Sequence, residues 1–409
     1  MLNSRSFASE GVLSVRQQAY RSLVLKLLGN LSKGQVTITE RFGEQMEFGD
    51  PSAEQRAIID ILDADFYERV VKGGSIGGAE AYMDGLWDSP NLTQVTRVMA
   101  ENLDTLDAVD KNVGWIQKAG LRVAHWLNRN SLTQSKQNIE AHYDLGNDLY
   151  TLFLDENMLY SSGIYNSEND SLASAQINKM ERLCQQLRLN KDDHVLEIGT
   201  GWGGMAIYMA SRYGCQVTTT TISEEQHAYA RDQIIQAGLE DKITLLKEDY
   251  RMLDGQYDKV VSIEMIEAVG KQYLPSYVEK CYSLLKPGGL LAIQAITIAD
   301  QRFEQYSKQV DFIQKYIFPG GFLPSVTHLL EQTTRHSGFV VRDLYDIGQD
   351  YARTLSDWHH AFNQAYPQVI QLGYDERFVR MWRYYLSYCE GGFLANTIST
   401  VHLTFHKVS

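Results

Sequence analysis

The sequence predicts an α/β protein whose larger part is a doubly wound, Rossmann-like domain with a mixed sheet. From residue 172 onward, short apolar segments alternate with amphipathic ones, which is the pattern of strands connected by helices on both faces of a sheet. A glycine-rich turn, GTGWGG at 199–204, directly follows the apolar segment HVLEI at 194–198. Doubly wound sheets bind nucleotides at such a turn. A smaller, mainly helical domain is expected to precede this one.

The elements of the larger domain follow from the same alternation. A helix is predicted over 172–188, before the first strand. Further helices are predicted at 204–213, 224–237 and 273–285, and strands at 194–198, 215–220, 243–247, 258–263 and 289–296. An aromatic-rich insertion at 297–335 interrupts the alternation, as either an exposed apolar patch or a buried lid. Segments 338–344 and 398–406 are candidate strands that close the sheet.

The beginning of the chain has different patterns. Residues 12–33 predict an amphipathic helix with interspersed basic residues, typical of a surface helix or of one that lies on a membrane. Residues 35–48 predict short strands, and 54–109 predict mainly helix with a break at the glycine pairs 73–74 and 77–78. The polar stretch 128–138 predicts a linker. The expected organisation is therefore an N-terminal domain at 1–127, for membrane contact or dimerisation, and a catalytic domain at 139–409.

Composition limits the function classes. The net charge of −13 excludes binding of nucleic acid through bulk positive charge. The four cysteines are dispersed without a C-x-x-C pair or a metal-ligand spacing, which predicts free thiols in a reducing compartment and no metal site. No stretch reaches the roughly 18 apolar residues that a membrane span requires. We therefore expect a cytoplasmic protein.

The glycine turn is compatible with three kinds of nucleotide site, which the neighbouring residues distinguish. A dinucleotide site needs an acid at the end of the second strand, but that strand ends in the threonines of VTTTT at 217–221. A P-loop is excluded because no G-K-[ST] follows the glycines. A methyl-donor site fits best, with Glu197 at the end of the first strand. Asp249 and Tyr250 follow the third strand, where they would meet an adenine amino group and ring. The expected cofactor is S-adenosylmethionine.

Several segments between 138 and 393 carry a more specific signal. They include AHYDLGNDLY (141–150), MLYSSGIY (158–165), SIEMIEAVG (262–270) and IGQDYARTL (347–355). With these segments the sequence resembles the cyclopropane-fatty-acyl-phospholipid synthases and the similar mycolic-acid and fatty-acyl methyltransferases. AEAYMDGLWD (79–88) resembles the extra N-terminal domain of the longer bacterial synthases.

The resemblance implies a class I methyltransferase fold and a specific reaction. A one-carbon unit passes from S-adenosylmethionine to the double bond of an unsaturated acyl chain, usually in an intact phospholipid. The resulting carbocation needs a dry, aromatic-lined pocket, and a base must then remove a proton to close a cyclopropane ring. The implied partner is an unsaturated phospholipid at the inner face of the membrane, with peripheral association and a possible homodimer. A small-molecule methyltransferase is a further alternative.

The resemblance also implies the residues of the site. The family's base is a bicarbonate, and its four ligand positions correspond here to Ser162, Glu267, Gln294 and Tyr351. Ser162 replaces a Cys and Gln294 replaces a His. Both can still donate hydrogen bonds, so bicarbonate and ring closure can persist, and cyclopropanation is the expected activity. The alternative is that the anion is absent, that Glu267 is the base, and that a methyl-branched or methylene chain results.

The residues expected to bind the cofactor lie in the matched segments and around the glycine turn. They are Tyr160, Ser161, Glu197, Gly199, Gly201, Gly203, Thr221, Gln226, Asp249 and Tyr250. Cys389 is expected to be a packing residue, because nothing beside it in SYCEGG would favour a thiolate.

Overall fold

Two compact units make up the described part of the chain. The computed structural model describes residues 13–103 and 146–408, so the predicted linker at 128–138 lies outside the described residues. The first unit combines 13–103 with 375–395, and the second combines 146–374 with 396–408. The second unit is thus interrupted by one helix, Glu376–Leu394, which belongs to the first unit, whereas the domain predicted at 139–409 was continuous.

A four-stranded sheet and four helices form the first unit in the described residues. Its strands are β1 (Gln35–Glu40), β2 (Gln45–Gly49), β3 (Arg56–Ile61) and β4 (Trp87–Asp88), in the spatial order β2-β1-β3-β4. Its helices are Val15–Leu28, Asp65–Met83, Leu92–Glu101 and Glu376–Leu394. The helix prediction for the start of 54–109 is wrong. In β3 the side chains of Ala57, Ile59 and Ile61 are buried in strict alternation, which is the period of a strand.

The helix Glu376–Leu394 packs closely against the other helices of the first unit. The hydroxyl of Thr96 donates to the carbonyl of Ser387 over 2.6 Å. A Cβ on Gly391 would lie 2.3 Å from that same Thr96 hydroxyl, so a glycine allows the two helices to meet. The guanidinium of Arg380 lies 3.9 Å from the ring centre of Tyr82. Cys389 lies on this helix and is partly buried.

Two of the basic residues on the first helix are engaged within the unit. Arg21 binds both carboxylate oxygens of the buried Glu40, and Arg16 binds Glu68. These pairs reduce the charge that the helix can offer to anionic headgroups. Within the described residues, no helix is long and apolar enough to cross a membrane.

A seven-stranded mixed sheet organises the second unit, which confirms the predicted fold class. Its strands are β5 (His194–Ile198), β6 (Gln216–Thr220), β7 (Ile243–Leu246), β8 (Tyr257–Ile263), β9 (Leu285–Ile298), β10 (Phe339–Asp346) and β11 (Ile398–Lys407). The spatial order is β10-β11-β9-β8-β5-β6-β7, with β5 to β9 parallel and β11 antiparallel to both neighbours. The strand order reverses beside β5, and the crevice at that reversal is the usual ligand site of such sheets.

Helices cover this sheet at nearly the predicted positions. They include Leu172–Leu187, Gly204–Tyr213, Glu224–Gln236, Leu274–Leu284 and Gly348–Gln364. The insertion forms the helices Asp300–Tyr306, Phe312–Tyr316 and Val326–His336. Its aromatic residues Phe303, Phe312 and Phe322 are buried, as in a lid and unlike an exposed patch.

The glycine break in the first unit yields a stability prediction. Gly74 adopts φ +58°, which interrupts the helix Asp65–Met83, and a Cβ on Gly77 would lie 2.1 Å from the carbonyl oxygen of Arg69. We expect Gly77→Ala to lower the free energy of unfolding by about 1–3 kcal/mol, as overpacking does. Gly78→Ala is the matched control, since its Cβ would meet only Val70 at 3.9 Å. Urea unfolding measures both, and equal midpoints for the two variants would contradict the prediction.

Candidate active site

The glycine turn follows β5 and requires a left-handed backbone. Gly199, Gly201 and Gly203 have φ values of +99°, +54° and +97°. The amides of Gly199 and Thr200 donate to the carbonyl of Thr220, which ties the turn to the end of β6. A Cβ on Gly201 would meet nothing within 4 Å, so the turn borders open space. An open left-handed turn at the switch point of the sheet fits the nucleoside of S-adenosylmethionine.

Glu197 lies beneath this turn and within the sheet. Its side chain is 2% exposed and accepts a hydrogen bond from the Thr219 hydroxyl over 2.6 Å. The Thr219 hydroxyl also lies 2.6 Å from that of Thr200. Burial raises the pKa of Glu197 to about 8, so the side chain is largely protonated at neutral pH. Glu197 is thus an uncharged group on β5 that is connected through the Thr219 hydroxyl to β6 and to Thr200 in the turn.

Two of the predicted cofactor residues meet beyond the end of β6. The hydroxyl of Thr221 donates to the side-chain oxygen of Gln226 over 2.8 Å. Ser223 caps the helix Glu224–Gln236 by accepting from the Gln226 amide. The pair therefore lies at the carboxyl edge of the sheet, next to the glycine turn in the strand order.

Asp249 and Tyr250 follow β7, as predicted, but the Asp249 carboxylate already has a partner. Both of its oxygens accept hydrogen bonds from the guanidinium of Arg251, over 2.8 and 2.6 Å. The ring of Tyr250 packs edge-on against Tyr277 at 5.5 Å. An adenine amino group at Asp249 would have to share the carboxylate with Arg251. The sequence reasoning did not include this residue, although it follows directly in EDYR.

Several aromatic rings pack around Tyr160, the residue that precedes Ser161 and Ser162. Its ring centre lies 5.2 Å from Tyr150, 5.3 Å from Trp358 and 6.4 Å from Phe318. Trp358 also contacts the ring of Tyr351 at 6.1 Å. Rings grouped in this way exclude water and stabilise a nearby cation through their faces.

The Glu264 carboxylate lies at the centre of the predicted catalytic group, although sequence reasoning did not select it. One oxygen accepts from the Ser162 amide over 3.0 Å and from the Gln294 side chain over 2.7 Å. The other accepts from the Tyr351 hydroxyl over 2.7 Å. Three of the four positions that the resemblance assigns to bicarbonate thus bind a carboxylate of the chain itself.

The orientation of these donors is determined by their other contacts. The Gln294 amide also donates to the Ser162 carbonyl, so its oxygen accepts from the Nε2 of His402 over 2.8 Å. Burial lowers the pKa of His402 to about 3, and this imidazole is therefore neutral. The Ser162 hydroxyl donates to the Gly163 carbonyl, so Ser162 reaches Glu264 through its backbone. Sequence reasoning did not include His402, which is far from Gln294 in the chain but pairs with it across β9 and β11.

Glu267, an expected bicarbonate ligand and the base in the alternative without bicarbonate, has a different environment. One of its oxygens accepts from the backbone amide of Ile296 over 2.5 Å. The other is buried and has no hydrogen-bond partner among the described residues. Burial, assisted by the Glu264 carboxylate, raises the pKa of Glu267 to about 8. At neutral pH Glu267 is therefore mostly a neutral acid, whereas Glu264 has donors that favour its anion.

Backbone conformation could have identified Glu264. Its φ is +48°, in the left-handed region that favours glycine. A residue other than glycine costs roughly 1–3 kcal/mol there, and such strain concentrates at functional sites. The sequence signal was a second acid three residues before Glu267 in the quoted motif SIEMIEAVG.

Comparison with known proteins identifies the family of this chain. The family model described as mycolic acid cyclopropane synthetase matches residues 130–403, more than half of the chain. The chain belongs to this family. Two relatives illustrate its range. Tuberculostearic acid methyltransferase UfaA1 of Mycobacterium tuberculosis is 39% identical over 82% of this chain and 80% of its own length. The cyclopropane-fatty-acyl-phospholipid synthase of Escherichia coli is 37% identical over 86% of this chain and 88% of its own length.

Solved structures extend the likeness to three dimensions. The cyclopropane synthase MmaA2 of M. tuberculosis aligns with a TM-score of 0.63 at 26% identity, over 66% of this chain and 98% of its own. The mycolic acid cyclopropane synthase CmaA1, complexed with S-adenosylhomocysteine, aligns with a TM-score of 0.62 at 27% identity, over 66% and 98%. This member of the family is therefore an S-adenosylmethionine-dependent methyltransferase that acts on lipid chains.

The buried acid Glu197 yields a prediction about pH. Its folded-state pKa of about 8 lies above the unfolded value of about 4.3, so the folded state holds a proton that the unfolded chain releases. Its contribution to stability is complete below the unfolded pKa and is lost as pH rises through about 8. We expect Glu197→Gln, which stays neutral, to lose less thermal stability than the wild type between about pH 5.5 and 8. Thermal midpoints without cofactor measure this, and identical pH slopes would contradict it.

Proposed function

We propose that the enzyme transfers a methyl group to the double bond of an unsaturated acyl chain in a membrane phospholipid and releases an open-chain, methylene-bearing product. In this proposal Glu264 is the base, and bicarbonate takes no part. The observation that carries it is the Glu264 carboxylate, which accepts hydrogen bonds from Ser162, Gln294 and Tyr351.

These residues do not fit a bicarbonate. An anion needs the hydrogen-bond donors that Glu264 already occupies. Next to an ionised carboxylate, a second anion would also be repelled in a site of low dielectric constant. The two substitutions that left the question open, Ser162 and Gln294, both serve Glu264 here, one through its amide and the other through its side chain.

The reaction balances without an oxidant or a reductant. When bound, S-adenosylmethionine supplies a methyl group with the electron demand of a cation. The π electrons of the alkene form the new carbon–carbon bond while the carbon–sulfur bond breaks, which leaves a carbocation on the lipid. A 1,2-hydride shift moves the charge to the carbon that bears the new methyl group. Glu264 then accepts a proton from that methyl group, and the electrons of the C–H bond form a methylene double bond.

The lifetime of the cation favours the open chain over the ring. Burial raises the pKa of Glu264, and the three hydrogen bonds that it accepts stabilise its anion and make it a weaker base than burial alone would. The ring faces around Tyr160 and Trp358 shelter the cation in the meantime. Slow proton removal gives the hydride shift time to compete with ring closure. The names of the two relatives point to both outcomes, so the support for this choice comes from the site.

The product distinguishes the two routes. The enzyme is incubated with radiolabelled S-adenosylmethionine and vesicles of unsaturated phospholipid, and the released fatty acids are analysed by mass spectrometry before and after catalytic hydrogenation. We expect labelled lipid whose added carbon takes up hydrogen as a methylene group under mild conditions. A product that resists mild hydrogenation as a cyclopropane would overturn the open-chain proposal. Label confined to the aqueous phase would overturn the lipid substrate.

The base is tested by substitution. We expect Glu264→Gln to lower kcat by about 10²–10⁴-fold, the usual contribution of a general base, while calorimetry shows unchanged binding of S-adenosylhomocysteine. Glu267→Gln, measured in parallel, should cost less because its carboxyl is already mostly neutral. A larger loss in Glu267→Gln than in Glu264→Gln would return the role of base to Glu267.

Bicarbonate supplies an independent control. Wild-type turnover should be the same in buffers depleted of bicarbonate and in buffers that contain it. Glu264→Gly leaves the donors of Ser162, Gln294 and Tyr351 without their acceptor and accommodates the positive φ. We expect added bicarbonate to restore part of the activity of this variant. Dependence of the wild type on bicarbonate would refute the proposal.

A further inference from the structure

One face of the helix Leu172–Leu187 carries two polar side chains that are entirely buried. Gln176 and Lys179 are both 0% exposed and lie three residues apart, so they project from the same side of the helix. Both point at the segment 159–162, which provides the Ser162 amide to Glu264. A fully buried lysine is rare, because burying its charge costs free energy unless the charge is paired and hydrogen-bonded.

The two side chains hold this segment in different ways. The Gln176 amide donates to the Ser161 carbonyl over 2.8 Å and to the Leu159 carbonyl over 3.4 Å. The Lys179 ammonium donates to the Ser161 hydroxyl over 2.7 Å. Gln176 therefore contributes hydrogen bonds alone, whereas Lys179 also contributes a positive charge.

We propose that Lys179 is a positioning residue whose buried positive charge keeps the Glu264 carboxylate ionised, so that it can act as the base. The inference rests on the proposed function of Glu264. Lys179 touches neither the lipid nor the cofactor in this role. It acts on Glu264 through the electric field and on the Ser162 amide through the segment that it anchors.

The electrostatic interactions of Lys179 and Glu264 support this assignment. Burial lowers the pKa of Lys179 to about 8, and the carboxylates of Glu264 and Asp155 act in the opposite direction. The Asp155 carboxylate is engaged with the backbone amides of Asn157 and Leu159. Burial, the largest effect, raises the pKa of Glu264 above its ordinary value, and its hydrogen bonds and the Lys179 charge offset part of this rise.

The other titratable groups of this site do not supply a positive charge to the Glu264 carboxylate. His402 is neutral, in part because Lys179 and Arg182 are both positive. Arg182 forms its ion pair with Asp343. Glu267 is mostly protonated, and the Tyr351 hydroxyl acts as a hydrogen-bond donor. Among the residues that the structure describes, Lys179 is thus the cation whose field acts on the Glu264 carboxylate.

The test separates charge from packing. Lys179→Gln can still donate to the Ser161 hydroxyl but is neutral, and Lys179→Met is a second neutral variant. Gln176→Met is the matched control, because it removes hydrogen bonds from the same segment and no charge. The pH dependence of kcat is measured for all three with the full-length enzyme and unsaturated phospholipid vesicles. Binding of S-adenosylhomocysteine is measured by calorimetry.

We expect the acidic limb of the kcat profile to move up by about one pH unit in both Lys179 variants, because Glu264 then takes up a proton more readily. The limb should stay in place in Gln176→Met, and affinity for S-adenosylhomocysteine should change by less than about threefold in every variant. An unmoved limb in the Lys179 variants, or an equal shift in Gln176→Met, overturns the proposal. Weakened cofactor binding with an unmoved limb would instead assign Lys179 to the Ser161 side of the site.

Infrared spectroscopy distinguishes this inference from the function on which it rests. At neutral pH, Lys179→Gln should show a protonated-carboxyl band in addition to those that Glu197 and Glu267 give in the wild type, and this added band should disappear in Lys179→Gln/Glu264→Gln. If Glu264→Gln keeps full turnover, Glu264 is not the base, yet this band still reports whether Lys179 controls its ionisation. Absence of the band contradicts the inference, whatever Glu264 does in catalysis.

Discussion

The catalytic unit depends most on the hydrogen bonds that the Glu264 carboxylate accepts. They connect three separate parts of the chain: the segment around Ser162, the end of β9 at Gln294, and the helix that carries Tyr351. Loss of the acceptor of a buried donor costs roughly 1–3 kcal/mol. These contacts outweigh the left-handed backbone strain at Glu264.

Differences in environment give chemically similar groups different tasks. Glu197 and Glu267 are buried with few donors, and the pKa of each rises to about 8. Burial also raises the pKa of Glu264, but three hydrogen bonds and the charge of the buried Lys179 oppose this rise. His402 remains neutral and orients the Gln294 amide. In the proposed mechanism, the site therefore combines a charged base, Glu264, with neutral hydrogen-bonding groups.

The chain order of the two units has a structural consequence. The helix Glu376–Leu394 lies between the helices of the insertion and β11 in sequence, yet it packs in the first unit. The first unit is therefore completed only after most of the second has been synthesised. A chain that ended before residue 375 would lack both this helix and β11, the strand that carries His402 and pairs with β9.

The sequence alone determined the features that depend on local patterns. The alternation of apolar and amphipathic segments predicted the doubly wound sheet, and the glycines at 199, 201 and 203 have the left-handed conformations that their turn requires. The alternation in β3 was missed because it is short and precedes a long helical segment. The motif resemblance was sufficient to predict the family.

The tertiary structure decided which side chains act on each other. Ser162, Gln294 and Tyr351 were predicted as ligands of one anion, but only the folded chain shows that their common acceptor is Glu264, at a position that favours glycine. Contacts between residues far apart in the chain, such as His402 with Gln294, leave no periodic signal in the sequence. Ionisation also depends on burial and on neighbouring charges, which exist only after folding, and for this reason the identity of the base could not be read from the sequence.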